Sequence, residues 1–64
     1  MVSQELKEGN PVSERFGQTV IIAQQRAESD YIVARSKNGV THSETFPDPE
    51  KAAERFNEYK EREA

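Results

Sequence analysis

The pair Asn38-Gly39, set between Lys37 and Val40, constrains this chain more than any other feature. A two-residue type I′ turn needs positive φ at both central positions, and Asn-Gly meets that need at little steric cost. On one side stands Tyr31-Ile32-Val33-Ala34-Arg35, and on the other a run from Val40 to Phe46. β-branched and aromatic residues of this kind favour a pleated strand, so the segment predicts an antiparallel hairpin. A two-residue turn also fixes the register. Lys37 falls opposite Val40, Arg35 opposite His42, Val33 opposite Glu44 and Tyr31 opposite Phe46. Upstream, Thr19-Val20-Ile21-Ile22-Ala23 forms another β-branched run, separated from Tyr31 by the turn-like Ala27-Glu28-Ser29-Asp30.

After Phe46 the pattern changes to Pro47-Asp48-Pro49-Glu50. Asp48 suits an N-cap, Pro49 the first helical position, and Glu50 the positive end of the helix dipole. The helix is expected to run to about Glu61, with Ala52, Ala53, Phe56, Tyr59 and Lys60 on its inner stripe. Residues 1–16 carry few anchors (Leu6, Val12 and Phe16), and a short helical segment over Ser3–Glu8 is stopped by Gly9-Asn10-Pro11. That stretch is expected to be a flexible N-terminal arm. The expected fold is therefore α+β: a three-stranded antiparallel β-meander followed by one C-terminal α-helix packed on one face, with the domain over residues 17–64.

Composition narrows the function. Apolar residues make up 33% of the 64 and charged residues another 33%, so the core is small for independent folding. The net charge of −3 divides as −1 over residues 1–16, zero over 17–46 and −2 over 47–64. No basic stripe for nucleic acid stands out. Zero cysteines exclude disulfides, thiol catalysis and thiolate zinc sites. No apolar run approaches the ~18 residues of a membrane-spanning helix. The opening MVSQELKEGN has neither the basic nor the apolar part of a secretory signal, and the expectation is a cytoplasmic protein. His42 is the single histidine, too few donors for a metal site, and Ser43 beside it must point to the opposite sheet face. No enzyme, cofactor, metal or small-molecule substrate is expected.

The hairpin register gives two faces. One carries Tyr31, Val33, Arg35, Lys37, His42 and Glu44; the other carries Ile32, Ala34 and Ser36 with Thr41, Ser43 and Thr45. Burying Arg35, His42 and Glu44 is costly, which favours the small, uncharged face as the one under the helix, with Phe46 turning inward. Tyr31, Val33, Arg35, Lys37, His42 and Glu44 then form an exposed contact surface. The competing reading is that both faces are half-buried, one of them by the arm or a second copy.

Residues Tyr31 to Tyr59, and above all Thr45-Phe46-Pro47-Asp48-Pro49-Glu50-Lys51-Ala52-Ala53-Glu54-Arg55-Phe56, resemble the end of an AP2-type domain and the arm-binding domains of tyrosine-type integrases. In those families a helix backs a three-stranded sheet, and the resemblance implies DNA reading by the exposed sheet face with Arg35 and Lys37. This chain departs from them in having no Trp, few sheet arginines and a negative net charge. The leading expectation is a small interaction module that binds a protein partner or itself, through the uncovered face or along Thr19-Val20-Ile21-Ile22 as an edge. DNA binding is the alternative. A third reading is an acidic regulator that uses Glu50, Glu54, Glu58 and Glu61.

Overall fold

The computed structural model describes residues 2–63. Helix α1 (Val2–Lys7) is followed by strands β1 (Val12–Phe16), β2 (Thr19–Ala27), β3 (Asp30–Lys37) and β4 (Val40–Phe46), and then by helix α2 (Pro49–Glu63). The strands form one antiparallel sheet in the order β1-β2-β3-β4. Both helices lie on one side of it, α2 against β2, β3 and β4, and α1 against α2, β1 and β2. The chain is α+β with a meander and a C-terminal helix, as expected, but the meander has four strands rather than three.

Backbone geometry accounts for the tight connections. Asn38 and Gly39 have φ of 51° and 81°, the pair of positive values a type I′ turn requires. The β3–β4 register is the one the turn dictates, with Lys37↔Val40, Arg35↔His42, Val33↔Glu44 and Tyr31↔Phe46. Strands β2 and β3 are joined through Glu28 and Ser29, with Ser29 at φ 59° and a register shift between Gln25 and Ala27.

Two capping devices set the helices. At α2, the Glu50 amide donates to Asp48 Oδ1 at 2.8 Å, and Ala52 N makes the first helical bond to Asp48 O. At the end of α1, Gly9 N donates to Leu6 O and Asn10 N to Glu5 O. With Gly9 at φ 81°, this is the Schellman pattern, in which a left-handed glycine satisfies the last carbonyls.

Residues 1–16, expected to be a flexible arm, instead supply α1 and the edge strand β1 from their described part. The reason is burial. Leu6 is fully buried in the core with Ile21, Ala23, Tyr31, Val33, Ala52, Ala53, Phe56 and Tyr59, while Val2, Val12 and Phe16 pack at its margin. A core this small gains from every added side chain. Because β1 pairs along β2, the segment Thr19–Ile22 is an interior strand, and its expected role as an edge is overturned. The free edges are β1 and β4.

Candidate functional site

The face chosen from the sequence as covered is the open one. Along β2 and β3, Ile21, Ala23, Tyr31 and Val33 are buried beneath the helices, while Ile22 is exposed and Val20, Ile32 and Ala34 are partly exposed on the other side. Strand β4 stays regular to its end, so Phe46 remains on the Tyr31 side, half-buried, rather than turning toward Ile32.

The charged residues on the covered face escape the expected burial cost because each meets a partner or lies beyond the helix. Arg35 Nη2 donates to Glu63 Oε1 at 2.9 Å, with side chains 26% and 12% exposed. Thr19 Oγ1 donates to the same oxygen at 3.3 Å, and Lys37 Nζ lies 3.7 Å from it. The Arg35 guanidinium also stands 5.9 Å from the centre of the Tyr59 ring. Its Nε is buried with no hydrogen-bond partner among the described residues. Glu44, half-buried, accepts a bond from Tyr59 Oη at 2.7 Å and faces Arg55 Nη1 at 3.3 Å. His42 sits at the β4 edge and remains exposed.

These contacts shift two titrations. The bond from Arg35, together with the charges of Lys37 and Arg35 and the Thr19 hydroxyl, holds the Glu63 carboxyl below its ordinary 4.5 against an opposing effect of burial. Burial, and then the bond and charge of Glu44, push the Tyr59 phenol above 10 despite the opposing influence of Arg55.

The six residues singled out from the sequence therefore separate. Tyr31 and Val33 are core, Arg35 and Lys37 meet Glu63 at the end of α2, Glu44 anchors Tyr59, and only His42 is freely presented. The expected exposure of this set as one surface is overturned.

The open face assembles different residues. Register places Arg15, Val20, Ser36 and Thr41 in one row across the sheet, and Ser13, Ile22, Ala34 and Ser43 in the next. Gln24, Ile32 and Thr45 form a third. The result is an apolar strip of Val20, Ile22, Ile32 and Ala34, with Ile22 39% exposed, bordered by hydroxyl and amide side chains and, beside Val20, by Arg15. The signal for this strip was the alternation in β2, where Val20 and Ile22 face one way and Ile21 and Ala23 the other.

Cavities are small. One of about 240 Å³ lies between the helices, lined by Val2, Ser3, Ala53 and Asn57. Another of about 160 Å³ is lined by Phe46, Lys51, Glu54, Arg55 and Glu58. Both fall below the ~300 Å³ at which ordinary ligand pockets begin. Among the described residues no group of three or more His, Asp or Glu side chains could hold a metal ion, and no helix is long and apolar enough to cross a membrane.

No family model, curated protein or solved structure matches the chain.

Proposed function

We propose that this chain is a small non-enzymatic interaction module that binds a protein, a second copy included, through the open sheet face and the β4 edge beside it. The observation that carries the reading is the strip of Val20, Ile22, Ile32 and Ala34 on the face left open by the helices. An antiparallel sheet with one wet face normally alternates apolar-in and polar-out. Here the middle of the outward face is apolar, which is the usual composition of a contact surface. His42 and Ser43 project to opposite sides of β4, which supports a binding role over nucleophilic catalysis. A cytoplasmic setting fits a chain with zero cysteines.

DNA reading in the manner of AP2 or integrase arm-binding domains has less support. Arg35 and Lys37, the positions that the resemblance assigns to DNA, lie on the helix side and are drawn to Glu63. The acidic-helix reading is weakened in the same way, since Glu50 pairs with Lys7 and Glu58 with Arg55.

A photo-cross-linking side chain placed at Ile22, at Ser43 and, for comparison, at the exposed helix position Asn57 tests the reading in the native cell. Adducts to a protein from Ile22 or Ser43 and none from Asn57 are expected. Adducts from Asn57 alone would overturn it.

A further inference from the structure

We propose that two copies of this chain join along their β4 edges, merging two four-stranded sheets into one eight-stranded sheet about a two-fold axis at Ser43. This rests on the reading above and names the occupant of the edge. Strand β4 has seven residues, Val40–Phe46, with no proline or lysine to block pairing, and Ser43 is its midpoint. The β3–β4 turn fixes which groups are free. Lys37 and Val40 close the turn as a hydrogen-bonded pair, so Val40, His42, Glu44 and Phe46 direct their main-chain groups to β3. Thr41, Ser43 and Thr45 direct theirs outward.

Antiparallel pairing about Ser43 sets those outward groups against each other: Ser43 against Ser43 of the second copy, and Thr41 against its Thr45. The same register sets His42 directly opposite Glu44 of the second copy, twice by symmetry. Moving the centre one residue either way places His42 against His42 or Glu44 against Glu44 and shortens the overlap. Two carboxylates directly opposite disfavour pairing, whereas an imidazole N–H opposite a carboxylate is a donor facing an acceptor. Glu44 has room for the contact, since Tyr59 and Arg55 both engage Oε1 and no described residue engages Oε2.

Val40 supplies an independent observation. It is 57% exposed, on the same side as Phe46. The Ser43-centred register brings Val40 of one copy beside Phe46 of the other, where Phe46 lines the groove it shares with Lys51, Glu54, Arg55 and Glu58. The helices do not interfere. With strands ~4.8 Å apart, α2 above β2 and β3 stays roughly 15–20 Å from its symmetry mate.

Sedimentation from about 10 µM to about 1 mM, a range suited to a small interface, is the test. The full chain is expected to pass from monomer to dimer as concentration rises. Ser43→Pro deletes an amide hydrogen that only the second copy uses, so it should abolish the dimer while circular dichroism and thermal unfolding stay near those of the parent. His42→Glu sets carboxylates against Glu44 at both ends of the seam and should weaken the dimer at least tenfold. Ile22→Lys, at the middle of the open face, should leave the dimer intact. A chain monomeric throughout the range overturns the proposal, as does a dimer lost in Ile22→Lys but kept in folded Ser43→Pro. Monomers that still cross-link from Ile22 to a different protein would reject the dimer alone and leave the broader reading standing.

Discussion

Arg35 and Glu63, 28 positions apart in the chain, meet at 2.9 Å and fasten the last turn of α2 to an interior strand of the sheet. The contact gives Arg35 a partner on the face that Ile21, Ala23, Tyr31 and Val33 turn toward the helices. Arg35→Ala should lower the thermal unfolding midpoint modestly, since it leaves the Glu63 carboxylate with only the Thr19 hydroxyl and the more distant Lys37. Glu63→Gln keeps an oxygen acceptor for Arg35 and should lower it less. An unchanged midpoint in Arg35→Ala would mean that the pair does no structural work.

The same carboxyl sets an acid limit. Glu63 titrates lower in the folded chain than when unfolded, so its contribution is full above about 4.5 and is lost as pH falls through the depressed folded value. A plot of unfolding midpoint against pH should therefore fall less steeply on the acid side in Glu63→Gln than in the parent. Tyr59 works in the opposite sense. Its raised phenol contributes below about 10, and that contribution is lost as pH rises through the folded value. Tyr59→Phe should lose this alkaline decline.

Phe56 is the largest fully buried side chain and lies at the centre of the α2 stripe. Phe56→Ala should cost about 3–5 kcal/mol. A chain of this length has roughly 3–10 kcal/mol in all, so the variant should be largely unfolded or close to it by urea titration.

Leu6 makes the N-terminal residues part of the core. Leu6→Ala should cost about 2–5 kcal/mol, a loss that a flexible arm would not produce. Urea unfolding checks it directly.

Much of the hairpin was legible because its determinants are local. Asn38-Gly39 dictates turn and register with no help from the rest of the chain. Asp48 and Pro49 start α2 for the same kind of reason, and the stripe of Ala52, Ala53, Phe56 and Tyr59 is the buried one. The face of the sheet could not be read that way. Arg35, His42 and Glu44 looked too polar to turn inward, but Arg35 finds Glu63, Glu44 finds Tyr59 and Arg55, all far along the chain, and His42 stays exposed at the edge. The helix was also expected to stop near Glu61, just before the residue that neutralises Arg35. Strand β1 was missed because VSERF alternates weakly and owes its place to pairing with β2. The open strip went unrecognised for the same cause as the face: Ile22 and Ile32 look like core until Ile21 and Val33 are seen to fill that role.

Single substitutions on β2 should display this sidedness. Ile21→Lys buries an unpaired charge where no solvent reaches and should cost more than about 4 kcal/mol, enough to unfold the chain. Ile22→Lys, one residue away on the open face, should cost less than about 1 kcal/mol. Thermal unfolding of the two variants separates them.

The most direct measurement is methyl relaxation by a soluble paramagnetic probe on dilute protein, which reports how closely solvent approaches each side chain. Strong relaxation is expected at Ile22, Ile32 and Ala34, and weak relaxation at Ile21, Ala23 and Val33. The reverse pattern, with Val33 and Ile21 relaxed and Ile22 and Ile32 shielded, would place the helices on the other face and contradict the account.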